Sequence, residues 1–348
     1  MKRSYAIHSL TPIVTGDHDR RNKELLATGL LGSLRYQYWL LKAMEEWKKS
    51  KQEDRQPDYP PYSADLAPDE TIKNKTERLT KALKKVGPVV GLFGGTGWKR
   101  MFRLDITNAV HDPEAPQPAS ARYNKTAPYN WRFELTFRSD RKSAAWDALQ
   151  INLEKEIRQL MSFVHHYGWL GAAPQNGFGW VEVKKQDGSE PACCCDLEPD
   201  NPVFAAKDVI FTEDQFQGLK RQLRRFYLAK ESEASGWKKE RYAGSLCYID
   251  NFGSPPIGYE IRRWLYDNNG GNASPVSYFG RGGRDDGYAG YVHVSHPISK
   301  ENLWRLQLRF TARSDKKNNR IVPTPLEKLP QEALREYQNI LLDQGEGI

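Results

Sequence analysis

At 348 residues the chain is longer than a single core usually fills, and 39% hydrophobic with 28% charged residues is a globular composition rather than a disordered one. Lys and Arg number 52 against 44 Asp and Glu, a net charge of +8 that fits a well-solvated surface and favours polyanionic partners over acidic ones. No stretch approaches the roughly 18 apolar residues of a membrane helix, MKRSYAIHSLTPIV lacks the apolar core of a signal peptide, and Cys193, Cys194, Cys195 and Cys247 make a poor disulfide framework. Together these readings point to a reducing, cytoplasmic setting.

Taken in chain order, RSYAIHSL (3–10) reads as a strand and TPIVTGDHDRRNKE as a polar loop. TGLLGSLRYQYWLLKAMEEWKKSK (28–51) reads as a helix capped by Thr28, with Leu31, Leu34, Tyr38 and Leu41 as its apolar stripe. Residues 52–86, rich in Pro, Asp and Lys, read as a mobile insertion with a short helix over 71–85. A glycine-rich turn, GPVVGLFGGTGWKR, leads into a strand at 101–107. Period-two alternation sets Phe102, Leu104 and Ile106 against Met101, Arg103 and Asp105. WRFELTFRS (131–139) alternates in the same way, with Arg132 and Arg138 opposite its aromatic face. A second helix is expected over 142–167, buried through Trp146, Leu149, Leu153, Ile157, Leu160 and Val164. GWLGAAPQNGFG then turns into a fourth strand, WVEVKK (180–185).

Strand, helix, strand, strand, helix, strand is the ferredoxin-like plan, with two helices on one face of an antiparallel sheet. The other face stays open and carries Arg103, Arg132 and Arg138 there or at its rim. The second half reads as a degenerate copy of the plan. A strand at 207–211 precedes a helix whose face carries Lys220, Arg221, Arg224 and Arg225. LCYID, GYEIRRWL, GYVHVS and LWRLQLRFTA follow as strands, and LEKLPQEALREYQNILLD closes as a helix. The expected class is α+β, tandem ferredoxin-like domains over 1–190 and 200–348.

The glycine turn at 91–97 matches neither the Walker pattern nor the dinucleotide pattern. It runs into a strand, so no helix N-terminus is expected there to hold a pyrophosphate. Its glycines either shape a tight turn or let an RNA strand come close, with Lys99 and Arg100 on phosphates and Trp98 or Phe93 stacked on a base. The turn at 168–180 adds the polar pair Gln175 and Asn176. His18 and Asp19 form a His–Asp pair, but no second cluster of ligands supports a metal, and three consecutive cysteines lack zinc spacing. Arg35 flanks the apolar stripe of the first helix, which suits an ion pair or a phosphate contact. No metal or cofactor is expected.

TPIVTGD (11–17), TGLLGSLRYQYW (28–39), GLFGGTGWKRMFRL (91–104) and GAAPQNGFGWV (171–181) resemble the RAMP proteins of CRISPR systems. Among these the sequence is most similar to the first-numbered subunit of the type III-B Cmr complex. PIGYEIRRW (256–264) and NASPVSYFG (272–280) fit the same family more loosely. The resemblance implies a non-catalytic RNA-binding subunit near the 3′ part of the crRNA, where target RNA is captured, with crRNA, target RNA and other Cmr RAMP subunits as partners. GPVVG stands where many relatives have a cysteine pair. The residues expected to contact RNA are Arg20, Arg21, Arg35, Lys99, Arg100, Arg103, Gln175 and Asn176, with Arg281 and Arg284 as an addition. The alternative is a metal-independent endoribonuclease processing precursor crRNA, with His18, His165 or His166 as acid and base.

Overall fold

A computed structural model describes residues 1–11, 13–15, 24–62, 86–95, 98–111, 130–139, 149, 151–171, 179–193, 197–250, 258–268, 280–281, 288–289, 292–295, 297–315, 320–322 and 330–343. In the first half the elements are β1 (Lys2–Ser9), α1 (Ala27–Gln52), the short α2 (Pro88–Phe93), β2 (Arg103–His111), β3 (Trp131–Arg138), α3 (Leu153–His166) and β4 (Val181–Lys185). The strands form one antiparallel sheet in the order β2-β3-β1-β4, the ferredoxin-like arrangement. Tyr5, Ile7, Leu104, Phe133, Leu135, Phe137, Val181 and Val183 are buried on one face, as alternation requires. They meet Leu30, Leu34, Tyr38 and Leu41 of α1 and Ile157, Leu160 and Val164 of α3 in a single core. The two helices are further tied at Glu156, which accepts from the Tyr38 hydroxyl at 2.9 Å and pairs with Lys42 at 2.7 Å.

Four local expectations change. α1 begins at Ala27, so Thr28 lies inside it, and the Leu26 N–H is taken by the hydroxyl of Thr15 at 3.2 Å instead. Met101 is buried with Phe102, because β2 starts only at Arg103 and strand alternation does not yet apply to Met101. Within 142–167 the described helix starts at Leu153, where Asn152 caps it by accepting the Lys155 N–H at 3.0 Å. Trp146 and the helix expected at 71–85 lie outside the described residues. The start of the expected insertion runs back along α1: the Trp39 indole donates to the Pro60 carbonyl at 3.0 Å, and Arg55 pairs with Glu46 at 2.7 Å.

The second half contains β5 (Phe204–Phe211), α4 (Glu213–Glu233), α5 (Trp237–Asp250) and α6 (Gly258–Asn268). The strands β6 (Gly280–Arg281), β7 (Tyr288–Ala289), β8 (Val292–Val294), β9 (Ile298–Lys300), β10 (Leu303–Thr311), β11 (Arg313–Asp315) and β12 (Arg320–Val322) follow, and α7 (Pro330–Asp343) closes. LCYID and GYEIRRWL, expected as strands, are helical. Leu246 and Ile249 are buried three apart, and Ile261, Trp264 and Leu265 fall at i, i+3 and i+4, which is helical spacing overriding a local run of β-favouring residues. The sheet order β5-β10-β8 repeats the first three strand positions of the first sheet. Leu306, Leu308 and Phe310 bury against α4, α6 and α7 in a second core.

The alternate residues of β10, Gln307, Arg309 and Thr311, are also buried. That face is covered by the first half. Gln307 donates to the His166 carbonyl at 3.3 Å, Arg309 lies 5.7 Å from the Trp180 ring, and His293 and Trp169 have ring centroids 5.5 Å apart. The Tyr36 hydroxyl donates to the Ala312 carbonyl at 2.6 Å. The two sheets therefore differ: one keeps a polar face in water and the other gives that face to its neighbour.

Gln37, fully buried in α1, holds the segment on which the second sheet rests. Its amide donates to the carbonyls of Ser33 and Trp169 and accepts the Trp169 N–H at 3.1 Å. Gln37→Ala strips buried partners from Trp169 and is expected to cost about 2 kcal/mol or more, seen as a lower urea midpoint with unchanged slope.

Candidate nucleic-acid interface

The open face of the first sheet is built by register. Glu182, His8 and Arg132 stand side by side across β4, β1 and β3, followed by Lys184, Ala6 and Glu134. Ser4 and Thr136 come next, their hydroxyls 2.7 Å apart, and Lys2, Arg138 and Arg103 form the last row. Asp105 bridges the last two arginines at 2.8 and 2.9 Å. At the other end His8 lies 3.8 Å from Glu182, and a shallow depression of about 380 Å³ is lined by His8, Asn108, Arg132, Glu134, Glu182 and Lys184. Asn108 takes φ 54° at a register shift between Thr107 and Val110, where a polar side chain that tolerates this backbone fits. Lys2, Arg103, Arg132, Arg138 and Lys184 thus outnumber Asp105, Glu134 and Glu182, but the face is of mixed charge rather than basic throughout.

The glycine turn behaves differently from the sequence expectation. A short helix, α2, occupies 88–93, and Gly91 is buried inside it. A Cβ on Gly91 would sit 2.8 Å from the Ile151 side chain and 2.9 Å from that of Leu149. Gly94 has φ +84°, and a Cβ there would meet Arg100 N and Trp98 O at 3.0 Å. Both are small because their own chain presses on them, not to bare backbone for RNA. Phe93 is buried against Phe102 and Tyr38, so it is not a stacking platform. Trp98 is half-buried and its indole donates to the Gly91 carbonyl at 3.3 Å.

The cations of this corner are unequal. Lys99 is exposed and makes no ion pair among the described residues. Arg103 is exposed beside Asp105. Arg100 donates to the Phe102 carbonyl at 2.7 Å, and burial pushes its guanidinium below the usual arginine range. Arg35 donates to the Tyr62 carbonyl at 2.7 Å with its guanidinium 5.1 Å from the Tyr62 ring centroid, and burial lowers its pKa too. Arg20, Arg21, Gln175, Asn176 and Arg284 lie outside the described residues, as does the side chain of Arg281 in β6.

The ends of the two segments that carry Arg20, Arg21, Gln175 and Asn176 do meet. Gly171 donates to the Ser33 hydroxyl at 3.0 Å, and a Cβ on it would lie 2.5 Å from the Val14 carbonyl. Trp180 N–H donates to the Thr11 hydroxyl at 2.9 Å, and its carbonyl accepts from Leu10 and Thr11. This root sits where β1 ends. Lys99 to Arg103 sit where β1 begins, roughly 23 Å away at a strand's rise of about 3.3 Å per residue. The described flanks of the segments holding Arg20, Arg21, Gln175 and Asn176 thus lie at one end of the sheet and Lys99 and Arg103 at the other, with its open face between them.

Residues 6–182 match the family model of the RAMP superfamily. The chain belongs to the RAMP superfamily. No curated protein matches it. Among solved structures it is similar to a chain in the cryo-EM structure of the type III-B Cmr-beta bound to cognate target RNA and AMPPnP, state 2, in the presence of ssDNA, with 10% identity, TM-score 0.45, and 99% and 98% of the two chains covered. A chain from the same assembly bound to cognate target RNA gives 10% identity and TM-score 0.43 over the same shares. A chain of a type IV-B CRISPR complex gives 15% identity and TM-score 0.31, covering 57% of this chain and 96% of that one.

In this RAMP protein the helix motif TGLLGSLRYQYW is largely internal: Ser33 and Gln37 anchor the glycine-rich loop, and Tyr36 reaches the second half. Sequence reasoning missed His8 and Lys184, although alternation along β1 and β4 sets them beside Arg132 once pairing is known. It also missed Arg309, whose Nε donates to Gln307 at 2.6 Å and whose Nη2 has no partner among the described residues. Burial pushes Arg309 down to about 9 despite nearby Asp208. Among the described residues no group of three or more His, Cys, Asp or Glu is placed to hold a metal, and no helix is long and apolar enough to cross a membrane.

The histidines at the end of α3 serve the fold. His165 Nδ1 accepts the Val183 N–H at 3.1 Å, with Glu190 3.6 Å from Nε2, and His166 Nε2 lies 3.1 Å from the Pro191 carbonyl. His18 lies outside the described residues. Burial, then the adjacent His166, lower the His165 pKa against the opposing carboxylates Glu190 and Glu182. The unfolded chain therefore binds the extra proton more readily. His165 contributes stability that is present above about pH 6.5 and lost as pH falls through its lower folded value. Melting temperatures followed from pH 7.5 to 5 should fall more steeply for the parent than for His165→Gln; parallel curves would refute this assignment.

Proposed function

We propose that the chain is a non-catalytic RNA-binding subunit of a type III-B CRISPR ribonucleoprotein, acting in the cytoplasm near the 3′ part of the crRNA and helping to capture target RNA. Its partners are then crRNA, target RNA and neighbouring Cmr RAMP subunits. Membership of the RAMP superfamily supports this reading, as do the sequence motifs at 28–39 and 91–104. The observation that carries it is the open polar face of the first sheet, with Lys2, Arg103, Arg132, Arg138 and Lys184 set in rows across β1, β2, β3 and β4. Cations there hold a sugar–phosphate strand without reading its bases, which suits an assembly whose sequence recognition comes from guide pairing.

A hydrolytic role needs an acid and a base free to meet the ribose and the leaving oxygen. His165 and His166 are engaged by the backbone at Val183 and Pro191, which favours the non-catalytic reading. Single-stranded RNA incubated with the chain in EDTA should stay intact.

Replacing Lys99, Arg132 and Lys184 by Ser should weaken binding of single-stranded RNA and flatten its salt dependence, by about 0.7 in log–log slope for each phosphate no longer neutralised. Fluorescence anisotropy at several salt concentrations measures this. An unchanged slope would remove the open face from the RNA path, and cutting that persists in EDTA but vanishes in His18→Ala, His165→Ala or His166→Ala would make the chain an endoribonuclease instead.

A further inference from the structure

A second concentration of positive charge lies away from the sheet, on the hairpin of α4 and α5. The core side of α4 is Phe216, Leu219, Leu223 and Tyr227, all buried. From Lys220 to Lys230 the helix carries five cations and no carboxylate. Arg221, Arg225 and Leu228, at i, i+4 and i+7, share the outward face and are exposed, Leu228 at 44%. Arg224 is turned toward α5, where it meets Asp250 at 3.1 Å. Arg221 and Arg225 make no ion pair among the described residues. The turn into α5 ends in Trp237, 66% exposed and the most exposed of the large apolar residues described. Lys238 and Lys239 follow, exposed and equally without an ion pair among the described residues.

A merely solvated helix face places opposite charges four residues apart, because like charges at that spacing repel and weaken the helix. Here Arg221 has Arg225 at i+4 and Gln217 at i−4, so the repulsion is uncompensated within α4. An external anion relieves that repulsion. Arg221 and Arg225 are separated by about 6 Å of helix rise, the scale of one repeat in a sugar–phosphate chain. An exposed indole beside lysines offers a face on which a base of any identity can stack. An acidic protein surface would also satisfy the arginines; the lysines that flank the indole on the same turn favour a stacked base between phosphates.

We propose that the outward face of α4 and the first turn of α5 form a second contact for single-stranded RNA, separate from the open sheet, with Arg221, Arg225, Lys238 and Lys239 on phosphates and Trp237 on a base. This rests on the reading of the chain as an RNA-binding RAMP protein. The sheet and this hairpin then hold different stretches of one strand or two different strands.

The test uses the full chain and a long single-stranded RNA, followed by anisotropy across salt concentrations. Arg221→Ser with Arg225→Ser should weaken binding about tenfold and lower the log–log salt slope by about 1.4, two phosphates at about 0.7 each. Trp237→Ala should weaken binding about fivefold or more with little change in slope. Lys48→Ser with Lys49→Ser removes the same charge from α1 and should change neither quantity to that extent. RNA containing 4-thiouridine should cross-link to the peptide that holds Trp237. If the helix pair behaves like the α1 control, or cross-links avoid this peptide while the Lys99, Arg132 and Lys184 variant loses affinity, the second contact is refuted and the open-face reading stands. If the parent chain binds no RNA at any salt, both fall. If the helix pair keeps RNA affinity but releases an acidic subunit from the native assembly, the surface is a protein contact and the proposal is overturned.

Discussion

The chain from His166 to Gly171 is the point on which the rest of the molecule depends. α1 holds it from one side, through Gln37 on Trp169 and Ser33 on Gly171. The second sheet holds it from the other, through Gln307 on the His166 carbonyl and His293 against Trp169. These are buried and part-buried hydrogen bonds and a ring contact, where removing a partner costs more than an exposed bond returns. One short segment therefore ends a helix, begins a glycine-rich run and joins two cores.

That junction settles the inequality of the two sheets. In each, alternation puts apolar side chains toward helices and polar ones on the reverse. In the second, the polar reverse is used as an internal surface, so Arg309 donates to Gln307 under Trp180 and Thr311 meets His293. The first keeps its reverse face in water. Burying an arginine beside Asp208 is weak evidence for stability, since desolvation offsets most of the attraction. What Arg309 does in the structure is bridge the two sheets, its Nε on Gln307 and its guanidinium 5.7 Å from the Trp180 ring.

The order of elements in the first half was legible because period-two and period-3.6 patterns there are long and uninterrupted, as in WRFELTFR and LEKEIRQLMSFVHH. The second half was harder. LCYID and GYEIRRWL are rich in β-favouring residues yet become helices, because spacing of three and four toward one core outweighs local preference. The candidate site was legible in part. Arg103, Arg132 and Arg138 on the open face follow from alternation alone. Of the two readings of the glycines, the structure favours the tight turn: Gly91 and Gly94 answer to Ile151, Leu149, Trp98 and Arg100, neighbours that span sequence distance or tight local turns and leave no pattern in a single sequence. Arg35 is likewise engaged by Tyr62, a residue beyond the end of its own helix.

What distinguishes the cations of this protein is whether a carboxylate already holds them. Asp105 occupies Arg103 and Arg138, so an incoming phosphate at that row must compete with an existing pair, and the gain is the difference between two charge-assisted contacts. Lys99, Arg221 and Arg225 face no such competitor among the described residues. A strand bound through paired cations gains modest affinity and some orientation, because the carboxylates repel its phosphates from where they stand. A strand bound through unpaired cations gains affinity with little orientation and a steeper dependence on salt. The mixed face of the first sheet is thus suited to setting the path of a strand, and the unpaired arginines of α4 to holding on to it.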